Sequence, residues 1–576
     1  MTLSTAESVN PTPTAASDPS EDRTIASQWA KISSASVTAG LAACGGGSGS
    51  PAPGPTPGPS PSPPPSSNPS PAEAARFLHQ AQFSASDTEI ASVQSLGFAA
   101  WLEQQLASPP GPNAWDWLMA KGYNASSFLN SVAPADYVVW NQLVTSPDAV
   151  RRRVALALSE ILVVSSTNMA ISGRSHAMAA YWDLLCTHAF GNYRQLLEAI
   201  TLNPAMGVYL NNKGNQKEDA KTGRQPDENY AREVMQLFTI GLYELNADGS
   251  NRLDAKGQPI DTYDQSTITN MARVYTGWDF DPTSATATNL LQVQQPMKLT
   301  ASRHSTLAAS FFGTTVPANT DGTTALKQAL DALFNHANVG PFIGRQLIQR
   351  LVTSNPSPAY IGRVSAAFNN NGAGVRGDMK AVVRAILLDS EARSASNLTL
   401  PTWGKLREPM LRFVQWARTF KATSASGDWK IPDLSDSATR LGQSPLRSGS
   451  VFNFFRPGYV PPNTALASSA LVAPELQITN ESTVAGYINF MQTVIRAGIL
   501  DVTPDYTAEL ALVNNTTALT DRLNLLLCAG QLNTVTLASI RTAISSISTA
   551  TTAGQQNRVY AAILLTMACP QYIVQK

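Results

Sequence analysis

The sequence predicts a mainly α-helical fold: one large helical domain with a few short β-hairpins and irregular loops. Apolar residues recur at helical spacing, as in Val154, Leu158, Ile161 and Leu162, or Leu326, Leu330, Leu333 and Phe334. Alternating strand patterns are scarce, and stretches rich in Gly, Thr, Ser or charge separate the periodic segments. The domain spans 72–576, about 505 residues, enough to bury a sizeable core.

Two segments precede it. Residues 1–44 read as a lipoprotein-type leader, because Leu41-Ala42-Ala43-Cys44 has the form of a lipobox whose cysteine thiol takes the lipid while small residues admit the peptidase. Residues 45–71 are almost only Gly, Ser, Pro, Ala and Thr, so they bury too little to fold and form a disordered tether. In polyproline II form that tether reaches roughly 80 Å. An ordinary cysteine in a disordered tail is the alternative, since residues 1–30 carry Glu7, Asp18, Glu21 and Asp22 against Arg23 where a basic region belongs. Gly45 after the cysteine points to the outer membrane, facing periplasm or cell surface. The expected localisation is thus the cell envelope, with the membrane reached through a lipid anchor at Cys44.

Periodicity places helices near 88–107, 148–165, 178–200, 227–243, 265–276, 323–336, 340–353, 378–389, 402–420, 483–499, 518–529 and 556–569. The polar segment 211–226 interrupts them, and 246–261 opens on an Asp248-Gly249 turn suited to a hairpin. Residues 281–319 lack periodicity and read as an irregular excursion. The apolar runs Val154 to Val164 and Tyr560 to Cys569 are too short to span a bilayer, and Glu160 interrupts the first.

Lys plus Arg and Asp plus Glu are both 41, a formal net charge of zero. Arg151-Arg152-Arg153 is the conspicuous basic run; with no aromatic-basic stripe beside it, it reads as a solvated helix start, and no nucleic acid is expected as a partner. With Cys44 lipidated, Cys186, Cys528 and Cys569 remain, an odd number, each in an apolar setting that reads as a buried thiol. Spacing leaves a Cys528–Cys569 bridge open.

The segment 226–233 has the marks of a helix start, with Asp227 as cap and Glu228 in the first turn. Ala231, Val234, Met235, Phe238 and Leu242 share one face of that helix, and Asn229, Arg232, Glu233 and Gln236 the opposite one. A carboxylate, a guanidinium and two amides on one stripe can bind a polar ligand, which makes Glu233, Arg232 and Glu228 candidate catalytic residues and Asn229, Gln236 and the nearby Trp278 candidate ligand contacts. An ion-pair network locking neighbouring helices accounts for the same residues. A metal site would add His188 or His304. Any histidine alone is more often a hydrogen-bonded core residue, and His336 falls at a helix end. Zincin, Cys-x-x-Cys, Gly-x-Ser-x-Gly and Walker signatures are missing, the loop at 246–257 lacks the Gly and Glu of a calcium loop, and no cofactor is named by the sequence.

Several segments occur together in order: Arg76-Phe77-Leu78, Trp101-Leu102, Tyr181 through Arg194, Glu228 through Glu233 leading to Gly241, and Ala272 through Trp278. They continue with Arg345-Gln346-Leu347, Asn355-Pro356, Gly377-Asp378, Arg407-Glu408-Pro409, Ala561 through Leu565 and Cys569-Pro570-Gln571-Tyr572. This succession resembles the bacterial family called domain of unknown function 1800. Cys569 stands where that family usually has Ser, and Ser305-Thr306-Leu307 lacks the Asp and Lys that often follow the histidine there. The resemblance implies a secreted, helix-rich protein, often encoded beside a second exported family, and no established reaction. The expected function is a lipid-anchored binding or assembly factor working with an exported partner. The alternative is an extracytoplasmic enzyme, hydrolase-like and metal-assisted in one variant, acting on envelope polymer or polysaccharide.

Overall fold

The computed structural model describes residues 68–167, 169–284 and 290–576. Cys44, the leader and the tether up to residue 67 lie outside the described residues. The described chain falls into two units, of which one comprises described residues up to Arg252 together with Asp261–Lys576. The described part of the other is Leu253–Ile260, a turn closed on itself: Asp254 Oδ1 accepts from Lys256 N and Gln258 N, both at 2.8 Å, and Leu253 bridges to Pro259.

The larger unit is mainly α-helical, as the periodicity predicts. Its first helix, Pro71–Ala81, starts in a capping box: Glu73 N donates to Ser70 Oγ at 3.3 Å, and Ser70 N donates back to the Glu73 carboxylate at 2.9 Å. Pro71, assigned to the tether by composition, opens this helix instead, because a proline at the first position forfeits no hydrogen bond. Helix boundaries shift elsewhere for local reasons. The 178–200 stretch divides into Arg174–His188 and Tyr193–Thr201, with Asn192 Oδ1 capping Arg194 N at 2.9 Å. The 402–420 stretch becomes helical only at Pro409, since Glu408 before that proline is held extended at φ −59, ψ 140. Helices Ala133–Thr145, Pro358–Asn369 and Thr534–Ser545 are additional to those the periodicity marks.

Strands are confined to four two-stranded antiparallel sheets among the described residues. Ala309–Phe311 and Thr314–Val316 form a hairpin inside the irregular excursion, whereas Lys405–Leu406 pairs with Val574–Gln575 at the far end of the chain. That last pairing matters most for the site. Arg407 N also donates to Ile573 O at 2.7 Å, so the C-terminus clamps the segment carrying Lys405 and Glu408.

The basic run at 151–153 is buried, not solvated: Arg151, Arg152 and Arg153 are 6%, 1% and 1% exposed. The helix Ala149–Ser159 is enclosed by protein on every side, so side chains stepping ~100° apart all meet neighbours. Arg151 lies over the Phe190 ring at 4.4 Å, Arg152 pairs with Asp148 at 3.2 Å, and Arg153 donates to the Arg350 carbonyl. A guanidinium fork tolerates burial of this kind because several carbonyls and a carboxylate can share its donors.

Candidate functional site

The polar stripe foreseen on the 227–243 segment sits on a shorter helix, Asn229–Gln236. It stops there because Ile240 N and Gly241 N both turn back to Met235 O and Gly241 takes φ +73 against the Phe342 ring. Asp227 does act at the start, accepting from Asn229 N at 2.8 Å. Glu228 and Arg232 come together at 3.4 Å, half-exposed. Glu228 also accepts from Gln265 Nε2 at 3.0 and 2.9 Å and from Thr269 Oγ1 at 2.9 Å, tying this helix to Gln265–Val274. Asn229 and Gln236 are half-buried beside them. Glu233 points into the protein, 7% exposed, and its charge helps burial push the Tyr209 hydroxyl up to about 12. Trp278 is buried in the ladder to Leu299.

His304 is buried with Nδ1 3.0 Å from Thr276 O, while His188 ends its helix half-buried, its basicity lowered by burial. His336 caps the helix Gly322–Asn335. Among the described residues no three His, Cys, Asp or Glu side chains gather as a metal-holding group.

A second constellation, not singled out from the sequence, lies where Arg407-Glu408-Pro409 meets the helices Ala149–Ser159 and Val339–Leu351. Glu160, Glu408 and Glu475 are all buried, with Lys405, Arg350 and Arg153 among them. Lys405 Nζ sits 3.3 Å from Glu408 and 3.1 Å from Glu475 and donates to Arg350 O at 2.8 Å. Gln443 Nε2 donates to Glu408 at 2.8 Å. Arg350 Nε lies 3.0 Å from Glu160 Oε2 but is not aligned to donate to it, so neither Glu160 oxygen receives a hydrogen bond.

These surroundings separate the two carboxyls. Burial, with the Glu408 charge behind it, raises the proton affinity of Glu160 well above the ordinary carboxylate range. Burial opposes ionisation of Glu408 too, but Lys405, the contact with Glu160 and the charge of Arg153 outweigh it and hold that group ionised. Glu160 is therefore the protonated partner and its O–H is directed to Glu408. The signal available in sequence was Glu160 itself, a carboxyl inside the apolar run from Val154 to Val164.

Beside this pair lies a recess of about 10 Å³, room for one water-sized polar group, lined by Glu160, Ser444, Leu446, Ser448 and Asn453 among others. Two of its lining residues hold unanswered buried polar atoms: Ser444 Oγ and Asn453 Nδ2 have no partner. The wall is a held loop. Leu446 and Asn453 take left-handed φ of 56 and 62, which costs a leucine about 1–2 kcal/mol. Ser166 N donates to Leu446 O at 3.0 Å, and Arg447 pairs with the buried Asp136, Nε to Oδ1 at 2.8 Å, fixing that conformation. The Ser448 hydroxyl donates to Ser450 O at 3.2 Å, within the same loop.

A family model described as "Protein of unknown function (DUF1800)" matches residues 76–574. No curated protein and no solved structure matches the chain.

Proposed function

Since this chain belongs to the DUF1800 family of proteins of unknown function, we propose that it is a cell-envelope binding or assembly factor, held by a lipid at Cys44, whose exported partner presents a small polar group to the recess. The observation that carries this reading is the pair of unanswered buried polar atoms, Ser444 Oγ and Asn453 Nδ2, around one opening. Orphaned donors and acceptors cost about 1–3 kcal/mol each, and a partner's carbonyl or hydroxyl that answers an amide N–H and a hydroxyl at once recovers that cost. The anchor and the spacer, with a location on the outer membrane facing periplasm or surface, rest on the sequence alone.

Crosslinking of the full chain in its own envelope tests the proposal. One specific exported partner should be recovered from the wild type and lost from a variant carrying Ser444→Ala and Asn453→Gly; glycine suits the left-handed backbone at 453 while removing the side chain that carries the amide. Recovery of no specific partner, or of the same partner from the variant, overturns it.

The enzyme reading keeps one observation of its own: a protonated Glu160 beside an ionised Glu408, opposed in proton affinity as an acid and a base must be. It requires Glu160→Gln to abolish complementation of a deletion strain while the protein accumulates normally. Full complementation rejects it.

A further inference from the structure

We propose that Cys528 and Cys569 are a disulfide-forming pair that, once bridged, locks the C-terminal clamp onto the segment carrying Lys405 and Glu408. Cys528 is the last residue of the helix Thr516–Cys528, and Cys569 joins Thr552–Ala568 to the short helix Pro570–Ile573. The first of these helices packs against both of the others, which brings the two buried thiols, 2% and 8% exposed, to adjoining helix ends; Cys569 Sγ also donates to Thr566 O at 3.0 Å. Cys186 is elsewhere, beside Arg152, and has no cysteine neighbour among the described residues.

Cys569 is the entry point. Contact with Cys528, helped by the backbone N–H groups of Tyr572 and Gln571, lowers its thiol to about 7, whereas burial raises Cys528 well above the ordinary thiol range. The attacking sulfur is then a thiolate near neutral pH. In the first step Cys569 thiolate attacks one sulfur of a low-molecular-weight disulfide donor, forming a mixed disulfide and releasing one donor thiol. Cys528 then gives up its proton and attacks Cys569 Sγ, forming the Cys528–Cys569 bond and releasing the second donor thiol. Two protein thiols are oxidised and the donor disulfide is reduced to two thiols.

The bond would hold the last residues of the chain, beyond Cys569, in place. Ile573 O accepts from Arg407 N at 2.7 Å, Val574–Gln575 pairs with Lys405–Leu406, and Gln575 Nε2 donates to Leu351 O at 2.9 Å. Leu527 O, next to Cys528, accepts from Arg407 Nη1 at 3.2 Å, so both cysteines flank the residue that precedes Glu408. The inference does not depend on the recess having a ligand.

Full-length protein equilibrated with oxidised glutathione, unfolded in N-ethylmaleimide and digested without reduction gives the test by peptide mass spectrometry. The expected result is a linked peptide pair containing Cys528 and Cys569, lighter by two hydrogens than the separate peptides, with Cys186 alkylated. A Cys186→Ser variant should give the same pair, and the oxidised form should melt at a higher temperature that dithiothreitol reverses. Alkylation of both Cys528 and Cys569, glutathione adducts without the link, or a link to Cys186 overturns the proposal.

Discussion

Lys405 has no exposed side-chain surface and serves Glu408, Glu475 and the Arg350 carbonyl at once. Replacing it by methionine keeps much of its volume and leaves Glu408 buried without its cation. Lys405→Met should therefore cost about 3–5 kcal/mol, read as a fall in urea midpoint at unchanged slope. Glu228 makes more hydrogen bonds than Glu408, yet it is half-exposed and water can replace them. Glu228→Ala should cost only about 1 kcal/mol in the same titration, and a loss as large as that of Lys405→Met would contradict this ordering. The contrast explains what a single sequence hides. Glu228 and Arg232 are legible because helical spacing sets them one turn apart. Glu160, Glu408 and Glu475 are scattered along the chain, and only tertiary packing makes them neighbours.

Helices show the same division. Apolar spacing locates Gln265–Val274, Gly322–Asn335 and Val339–Leu351 to within a few residues; the first two each bury one continuous face, while the third is buried nearly all round. It overruns at Asn229–Gln236, where hydrophobic residues continue through a turn built on Gly241, and it places Arg151–Arg153 in solvent because a charge run carries no record of its neighbours. The Cys528–Cys569 link would close a loop of about 40 residues between two packed helices. Chain-entropy reasoning assigns such a closure about 4 kcal/mol, so the oxidised form should gain a urea midpoint that Cys569→Ser lacks under the same oxidant. The loop around Leu446 is an element of another kind, held by Ser166 and Asp136 in a backbone that periodicity does not describe.

For the molecule as a whole, buried ionisable groups set opposing pH dependences. Burial, with the Arg407 charge adding to it, lowers His79 to about 3, and burial lowers His176 to about 4. Both bind protons more readily when unfolded, so their contribution to stability is lost as pH falls from about 6.5 towards those values. Asp136 and Asp183, raised by burial to about 6, bind protons more readily when folded and work the other way, adding stability as pH falls through that value. His79→Gln should flatten the loss between pH 6.5 and 4 relative to the wild type, by at most about 1.4 kcal/mol per pH unit, in urea titrations across that range. An unchanged slope would mean that His79 is not held neutral in the folded protein.

If Cys44 holds this molecule at a membrane as proposed, its exported partner would meet it at the recess beside Glu160. Native mass spectrometry of the full chain extracted from its own membrane measures this directly. One exported partner should stay bound per chain and be lost from the Ser444→Ala, Asn453→Gly variant while its melting temperature is kept. A bare chain, or the same species still bound to that variant, would contradict it.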